Sequence, residues 1–370
     1  MWIYEHQDWP NFNWDIGLIA PKLVELRHRQ GRLLGKMEGL GFALKREASL
    51  LTLTSDVVKS SAIEGETLNP EEVRSSIARR LGMEIAGLVP ASRNVEGVVE
   101  MMLDATQQNA HPLTQERLFC WHAALFPTGR SGMHRITVGG WRTAEAGPMQ
   151  VVSGPVGREK VHFEGPSAEK LNHEMAAFLT WFNQPNTIDP VLKAGIAHFW
   201  FVTIHPFEDG NGRIARAIAD MALARADAST DRFYSLSSQI EAERKDYYKE
   251  LESQQRNTPD ITQWLNWFLD CLSAAITRAE QTLAAVLYKA QLWHTINQQP
   301  VNERQRNIIN QMLEEGFIGH MNTSKYAKLA NCSNDTALRD IQELKTRGIL
   351  IQNPSGGRST SYRLVDMEEH

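Results

Sequence analysis

Residues 205–216 read "HPFEDGNGRIAR", gathering an imidazole, two carboxylates, two glycines and two guanidiniums into twelve positions. His205 stands before Pro206, whose ring disfavours helical geometry at the preceding residue, so the imidazole is expected on a fixed loop. With an ordinary pKa of ~6.5 it can take a proton from a hydroxyl near neutral pH. Phe207 supplies an apolar anchor for the turn, and Asp209 is the kind of oxygen donor that Mg²⁺ takes alongside phosphate oxygens and water. Gly210 and Gly212, on either side of Asn211, permit positive φ. Backbone N–H groups can then converge on an anion at the start of a helix whose dipole also favours negative charge. Arg213 and Arg216, three apart on that helix, face one side and can take successive phosphates. A base, a metal-binding carboxylate and an anion receptor in one turn suit transfer from a nucleotide phosphate.

Each piece has a blander reading. A lone histidine in a loop is more often structural, and DG or NG pairs by themselves mark turns. Asp209 and Asn211 do not open an EF-hand, because its fifth position would be Arg213, its glycine position Ile214 and its last position Asp220 rather than Glu. There is no GxxxxGK[ST] and no HExxH; "HEMAA" at 173–177 lacks the second His. The joint pattern, not any single residue, carries the chemical reading.

The elements that must position this stretch are helical. "PVLKAGIAHFWFVTI" leads into it and a helix restarts at the glycines, so it lies on a helix-loop-helix junction. From "LIAPKLVEL" to "SSAIEGETL", apolar residues recur at spacings of three and four, and "PEEVRSSIARRLGM" has Pro70 at its start and acids in its first turn. "LTQERLFCWHAALFP" and "SAEKLNHEMAAFLTWFN" are helical as well. Between them, "WRTAEAGPMQVVSGPVGREKVHFEGP" is rich in Gly and Pro, and its runs "MQVVS" and "KVHFE" predict a β-hairpin. "SLSSQIEAERKDYYKELESQQ" and "DITQWLNWFLDCLSAAITRAEQTLAAVLYKAQLWHTI" predict long helices, the second a connector. The last seventy residues order three helices, a strand, a turn and a strand, which resembles a winged helix-turn-helix domain.

The composition bounds the partners. The chain has 370 residues, 42% hydrophobic and 22% charged, with a net charge of −5, which weakens any reading as a coat on nucleic acid or an anionic membrane. Cys120, Cys271 and Cys332 are widely spaced, without CxxC, so neither a disulfide framework nor a thiolate zinc site is expected. With no signal peptide and no apolar run of membrane-spanning length, the expected location is the cytoplasm, with no membrane partner.

"HPFEDGNGRIAR" resembles the signature of Fic proteins, HPFx[DE]GNGRxxR, at every specified position. The Gly- and Pro-rich hairpin is similar to the family's flap, which holds a target segment beside the active site. The resemblance implies a mainly α fold, a helical Fic core with a β-hairpin flap, followed by the winged helix. It implies transfer of AMP from ATP to a Ser, Thr or Tyr hydroxyl of a target protein. His205 would deprotonate the hydroxyl, Asp209 would hold Mg²⁺, and Asn211 with the amides of Gly210 and Gly212 would stabilise the α-phosphate. Arg213 would contact the outgoing phosphates and Arg216 the γ-phosphate. Tyr247 of "RKDYYKEL" is assigned to the adenine side, with a core aromatic as the alternative. "SSAIEG" resembles the family's inhibitory signature [ST]xxxE[GN], here Ser60, Glu64 and Gly65. A carboxylate paired bidentately with Arg216 would compete with the γ-phosphate. The alternative is a solvated helix end with Gly65 as its stop. Family members with such a glutamate also remove AMP, so direction stays open, as does transfer of another nucleotide moiety.

The expected domains are a helical region carrying the inhibitory motif (1–112), the Fic catalytic domain (113–275), a connector (276–299) and the winged helix (300–370). In the last, Ser333 is a good N-cap for the recognition-type helix and Arg358 falls on the wing. That helix carries Asp335, Asp340 and Glu343 beside Arg339 and Lys345, with no clear basic face. DNA binding and a protein-interaction or homodimerisation role both stay open, as does a DNA-binding regulator whose Fic core only senses ligand.

Overall fold

The structure, a computed structural model, describes the chain apart from residues 85–86, 156–157, 159, 186, 299, 314–316, 318, 355–359 and 366–370. Arg358 therefore lies outside the described residues. The chain divides into two compact units, Met1–Glu280 and Gln281–His370. Residues 1–112 and 113–275 share the first.

The first unit opens with α1 (Ile16–Glu38), whose Asp15 cap accepts from the N–H groups of Gly17 and Leu18, and α2 (Phe42–Ile63). In α3 (Pro70–Arg80), Asn69 caps, Pro70 sits where its missing N–H costs nothing, and Glu71 and Glu72 face the positive end of the dipole. Then come α4 (Arg93–Gln107), α5 (Gln115–Leu125) and a two-residue ribbon of β1 (Arg130–Ser131) and β2 (His134–Arg135). The hairpin pairs β3 (Gln150–Ser153) with β4 (Lys160–Glu164), close to the runs that predict it. Next are α6 (Leu171–Asn183), α7 (Pro190–Ile204) and α8 (Asn211–Ala226). The single pattern expected after residue 235 breaks at Glu243 into α9 (Leu236–Ala242) and α10 (Arg244–Gln255). The unbroken α11 (Thr262–Gln298) follows.

Helix α7 is apolar all round and buried along nearly its whole length, as a central helix must be. It packs along α8, whose Ile214 and Ile218 are fully buried, and α4, α5, α6 and α2 surround the pair. This pair holds residues 205–210 in the link between its two helices.

The second unit contains α12 (Glu303–Met312), α13 (Thr323–Leu329), α14 (Asn334–Thr346) and an antiparallel pair, β5 (Leu350–Gln352) with β6 (Tyr362–Leu364). Its core includes Leu292, Ile296, Ile309, Tyr326, Ile341 and Leu350. Ser333 caps α14 by accepting from Thr336 N–H. Of the acids on α14, Asp340 faces inward. It is buried and takes hydrogen bonds from Arg304 Nε (2.5 Å) and Tyr326 Oη (3.0 Å). Among the described residues no helix is long and apolar enough to cross a membrane.

Candidate active site

His205 ends α7 in a left-handed conformation, φ 51° and ψ 59°. Its N–H still reaches Phe201 O at 3.0 Å, so it closes the helix while turning the chain. A residue with a Cβ rarely adopts this geometry, so the surroundings must impose it. Nδ1 lies 3.1 Å from Val202 O and must donate to it, which leaves Nε2 as the basic nitrogen. Burial lowers the pKa to about 4, against the Val202 bond, which raises it, and with the charge of Arg142, which lowers it further. The ring is therefore a neutral, oriented base at pH 7.

The turn is built from inside. Phe207 is fully buried and stacks on His122 at 4.2 Å with planes 6° apart. Gly139 N–H donates to His122 Nδ1 (3.3 Å), so Nε2 carries the proton and donates to Asp209 O (3.2 Å). Asn211 bridges the turn: Oδ1 accepts from Phe207 N–H (3.0 Å) and Nδ2 donates to Phe207 O (2.8 Å). The carboxamide braces the loop, and Nδ2 retains a second hydrogen besides the one it gives to Phe207 O. Gly210 has φ 81°, and a Cβ there would lie 2.9 Å from Phe126. Asp209 Oδ1 accepts from Gly210 N–H (2.5 Å) and Oδ2 from Ser131 Oγ.

Two arginines on the first turns of α8 are buried. Arg216 donates from Nε to Ser60 Oγ (2.9 Å) and from Nη2 to Ser60 O and Glu64 Oε1 (both 2.8 Å). The expected bidentate pair is thus a single-oxygen contact, because Ser60 takes the second donor edge. Burial works against the Arg216 charge, but Glu64 and its other neighbours together outweigh it and keep the guanidinium firmly protonated. Nη1 of Arg216 and Nε of Arg213 are buried without a hydrogen-bond partner. Arg213 lies over the Phe126 ring (5.1 Å), and its Nη1 donates to Glu66 Oε2 at 2.7 Å. A Cβ on Gly212 would fall 2.1 Å from Glu64 Oε1, so only glycine admits the carboxylate there.

The end of α2 fits both sequence readings at once. Gly65 (φ 85°) stops the helix: Glu66 N–H bonds Ser61 O and Gly65 N–H bonds Ala62 O, the paired bonds of a Schellman turn. That turn carries Glu64 and Glu66 to the arginines.

Tyr247 is buried, its hydroxyl 2.9 Å from His198 Nε2, so it is a core strut rather than an open adenine platform. Tyr248 is the exposed neighbour, and its hydroxyl donates to Ile63 O at 3.3 Å. Arg142, Glu66, His122 and Ser131 were not singled out from sequence. Arg142 lies within the hairpin stretch, but no spacing pattern ties it to His205, 63 residues away.

Residues 2–83 match a family model described as a domain of unknown function (DUF4172), and residues 112–223 match the Fic/DOC family. The protein adenylyltransferase fic-1 of Caenorhabditis elegans is 31% identical over 172 residues, 46% of this chain and 31% of that protein. The protein adenylyltransferase Fic of Nematostella vectensis is 34% identical over 113 residues, 30% of this chain and 25% of that protein. That of Drosophila grimshawi is 26% identical over 243 residues, 62% of this chain and 43% of that protein. The chain spans less than half the length of each of these relatives. In fold it is similar to a Fic family protein from Desulfovibrio desulfuricans G20, with TM-score 0.52, 21% identity, and coverage of 95% of this chain and 98% of that one. It is likewise similar to a Fic domain containing signaling protein from Bacteroides thetaiotaomicron VPI-5482, with TM-score 0.51, 21% identity, and coverage of 71% and 98%. The turn that carries His205, Arg213 and Arg216 lies inside residues 112–223, the segment that matches the Fic/DOC family model.

Proposed function

We propose that the chain transfers AMP from ATP to a hydroxyl of a target protein, and that the end of α2 restrains the reaction. The observation that carries this reading is a neutral, oriented imidazole one turn away from a helix N-terminus with two buried arginines, each holding an unpaired donor. The target oxygen attacks the α-phosphorus, its proton passes to His205 Nε2, and the bond to the β-phosphate oxygen breaks to release pyrophosphate. Charge on the outgoing phosphates falls on Arg213, Arg216 and the N-terminus of α8. The relatives' name, protein adenylyltransferase, supports the same chemistry.

The described residues hold no cluster of three or more metal-ligating side chains. A nucleotide-bound Mg²⁺ does not need one, since it takes one or two carboxylates with phosphate oxygens and water. Asp209 fits as that single carboxylate, each oxygen having one hydrogen bond and a lone pair to spare. When bound, the ion would neutralise phosphate charge. A cytoplasmic setting, with its ATP and reduced thiols, suits the three free cysteines.

In the resting arrangement Glu64 occupies the Arg216 edge that a γ-phosphate needs. Its side chain stays 31% exposed, which also suits orienting a water for removal of AMP, the second reading. Labelled ATP with Mg²⁺ tests the proposal. The Glu64→Gly variant should label protein about ten- to a hundredfold more than the wild type, the range expected for losing a charge-assisted contact. Adding His205→Ala should abolish it. A folded, ATP-saturated Glu64→Gly protein that labels nothing would refute the transferase reading, and ligand-dependent DNA binding without label would favour the regulator.

A further inference from the structure

Arg142 is 5% exposed, and among the described residues no carboxylate bonds it; carbonyl oxygens take its protons instead. Nε donates to His205 O (2.8 Å), while Nη2 donates to Pro166 O (2.5 Å) and lies 3.5 Å from Ile204 O. Its own backbone N–H donates to Pro206 O (2.9 Å). These carbonyls cluster at the C-terminal end of α7, where the helix dipole favours a cation. Arg142 enters the segment that becomes β3, and Pro166 follows β4, so one guanidinium ties both feet of the hairpin to the carbonyl of His205. Gly165 leaves the space: a Cβ there would stand 3.2 Å from Arg142 Nη2 and 3.6 Å from His205 Cβ.

The structure assigns Arg142 as a positioning residue that holds His205 in its left-handed turn and sets the hairpin's height above the imidazole. For catalysis this rests on the transferase reading above. A hydroxyl carried by the hairpin reaches Nε2 only if both feet and the base keep this register, and displacement of about 1 Å can cost on the order of a hundredfold in rate. The hydrogen bonds of Arg142 go to Pro166, Ile204, His205 and Pro206, and none to α8, where the transferase reading puts the ATP phosphates.

The test uses the full chain in the Glu64→Gly background with Arg142→Gln, Arg142→Lys and Gly165→Ala. For Arg142→Gln, kcat for labelling should fall about a hundredfold, while the Kd for a non-hydrolysable ATP analogue stays within about twofold of the parent. Arg142→Lys should recover part of kcat, because an ammonium still meets the carbonyls but cannot fork to both feet. Gly165→Ala, which keeps the arginine and crowds it, should lie between parent and Arg142→Gln. Equal losses in kcat and ATP affinity, or an Arg142→Gln enzyme with the parent's kcat, would overturn the assignment. A second readout does not depend on transfer: ¹³C-histidine spectra against pH, with His205 assigned by its own substitution. Arg142 lowers the His205 pKa, Glu64 on α2 and Asp209 in the turn raise it, and burial lowers it most. Replacing Arg142 by Gln removes a positive charge and loosens the turn, so the His205 titration should move up from about 4 while buried His122 stays put. An unmoved His205 would refute the role. A parent that labels nothing would sink the transferase reading alone, leaving these spectra to decide Arg142.

Discussion

Glu66 and Glu64 leave the same Schellman turn and reach different arginines, Arg213 at 2.7 Å and Arg216 at 2.8 Å. Removing Glu64 alone therefore leaves Arg213 still paired with Glu66. The two pairs differ in strength: Glu66 is 47% exposed and Glu64 31%, so water and salt screen the Glu66 contact more. We expect Glu66→Gln alone to tighten ATP about two- to fivefold, the scale of a partly exposed pair. Glu64→Gly with Glu66→Gln should bind ATP more tightly than Glu64→Gly by a similar factor. Calorimetry with a non-hydrolysable analogue checks this, and identical affinities for the last two variants would show that Arg213 is already free for phosphate. Sequence made Glu64 legible because a short motif contains it, and His205 with its arginines because twelve consecutive residues define them. Glu66 was silent because one carboxylate next to a helix stop has no pattern until Arg213 is seen above it. For Asn211 the place in the motif is plain, but only coordinates show its amide bracing Phe207.

At the scale of elements, buried imidazoles tie α5 to the turn before α8 and α7 to α10. His122 on α5 and His198 on α7 are fully buried, with pKa values lowered to about 4 and about 3, in each case chiefly by burial. A histidine held neutral in the folded protein loses stability as pH falls: below ~6.5 the unfolded chain takes up a proton that the folded one refuses until its own pKa is reached. For His122 that window runs from ~6.5 down to about 4 and is worth about 3 kcal/mol at its lower end. Buried Asp220, raised by burial and by nearby Asp56, works the other way, so the total slope is mixed and a difference is the cleaner measure. His122→Gln can keep a donor near Asp209 O but cannot titrate. It should be less stable than wild type at pH 7.5, through the lost stack on Phe207, yet lose less Tm between pH 7 and 4.5. Parallel Tm curves would show that His122 is not the group refusing the proton. The helices themselves were readable from apolar spacing, with Pro70 marking the start of α3, and the hairpin from its two short runs. The break at Glu243 was not, since apolar spacing continues across it and tertiary packing decides where the axis turns.

Over the whole chain, residues 1–280 and 281–370 have separate hydrophobic cores, although α11 runs without interruption from one into the other. The change of character near residue 300 was visible in the order of short helices and strands. The share of α11 in the second core was not, because a long amphipathic helix looks alike whether it links two cores or joins one, and Leu292 and Ile296 prove to be buried with α12–α14. Two cores predict two calorimetric transitions, since cooperativity follows shared apolar contacts rather than chain continuity. Ile341, fully buried on α14, discriminates: Ile341→Ala should cost about 2–4 kcal/mol, from lost burial and the cavity left behind. The loss should fall on one transition and leave the other where it was; on the proposed function, ATP should raise that other one. If the chain melts in a single transition that Ile341→Ala lowers as a whole, then α11 couples the two cores into one cooperative unit. In that case changes in residues 281–370 would reach the stability of the helices that carry His205.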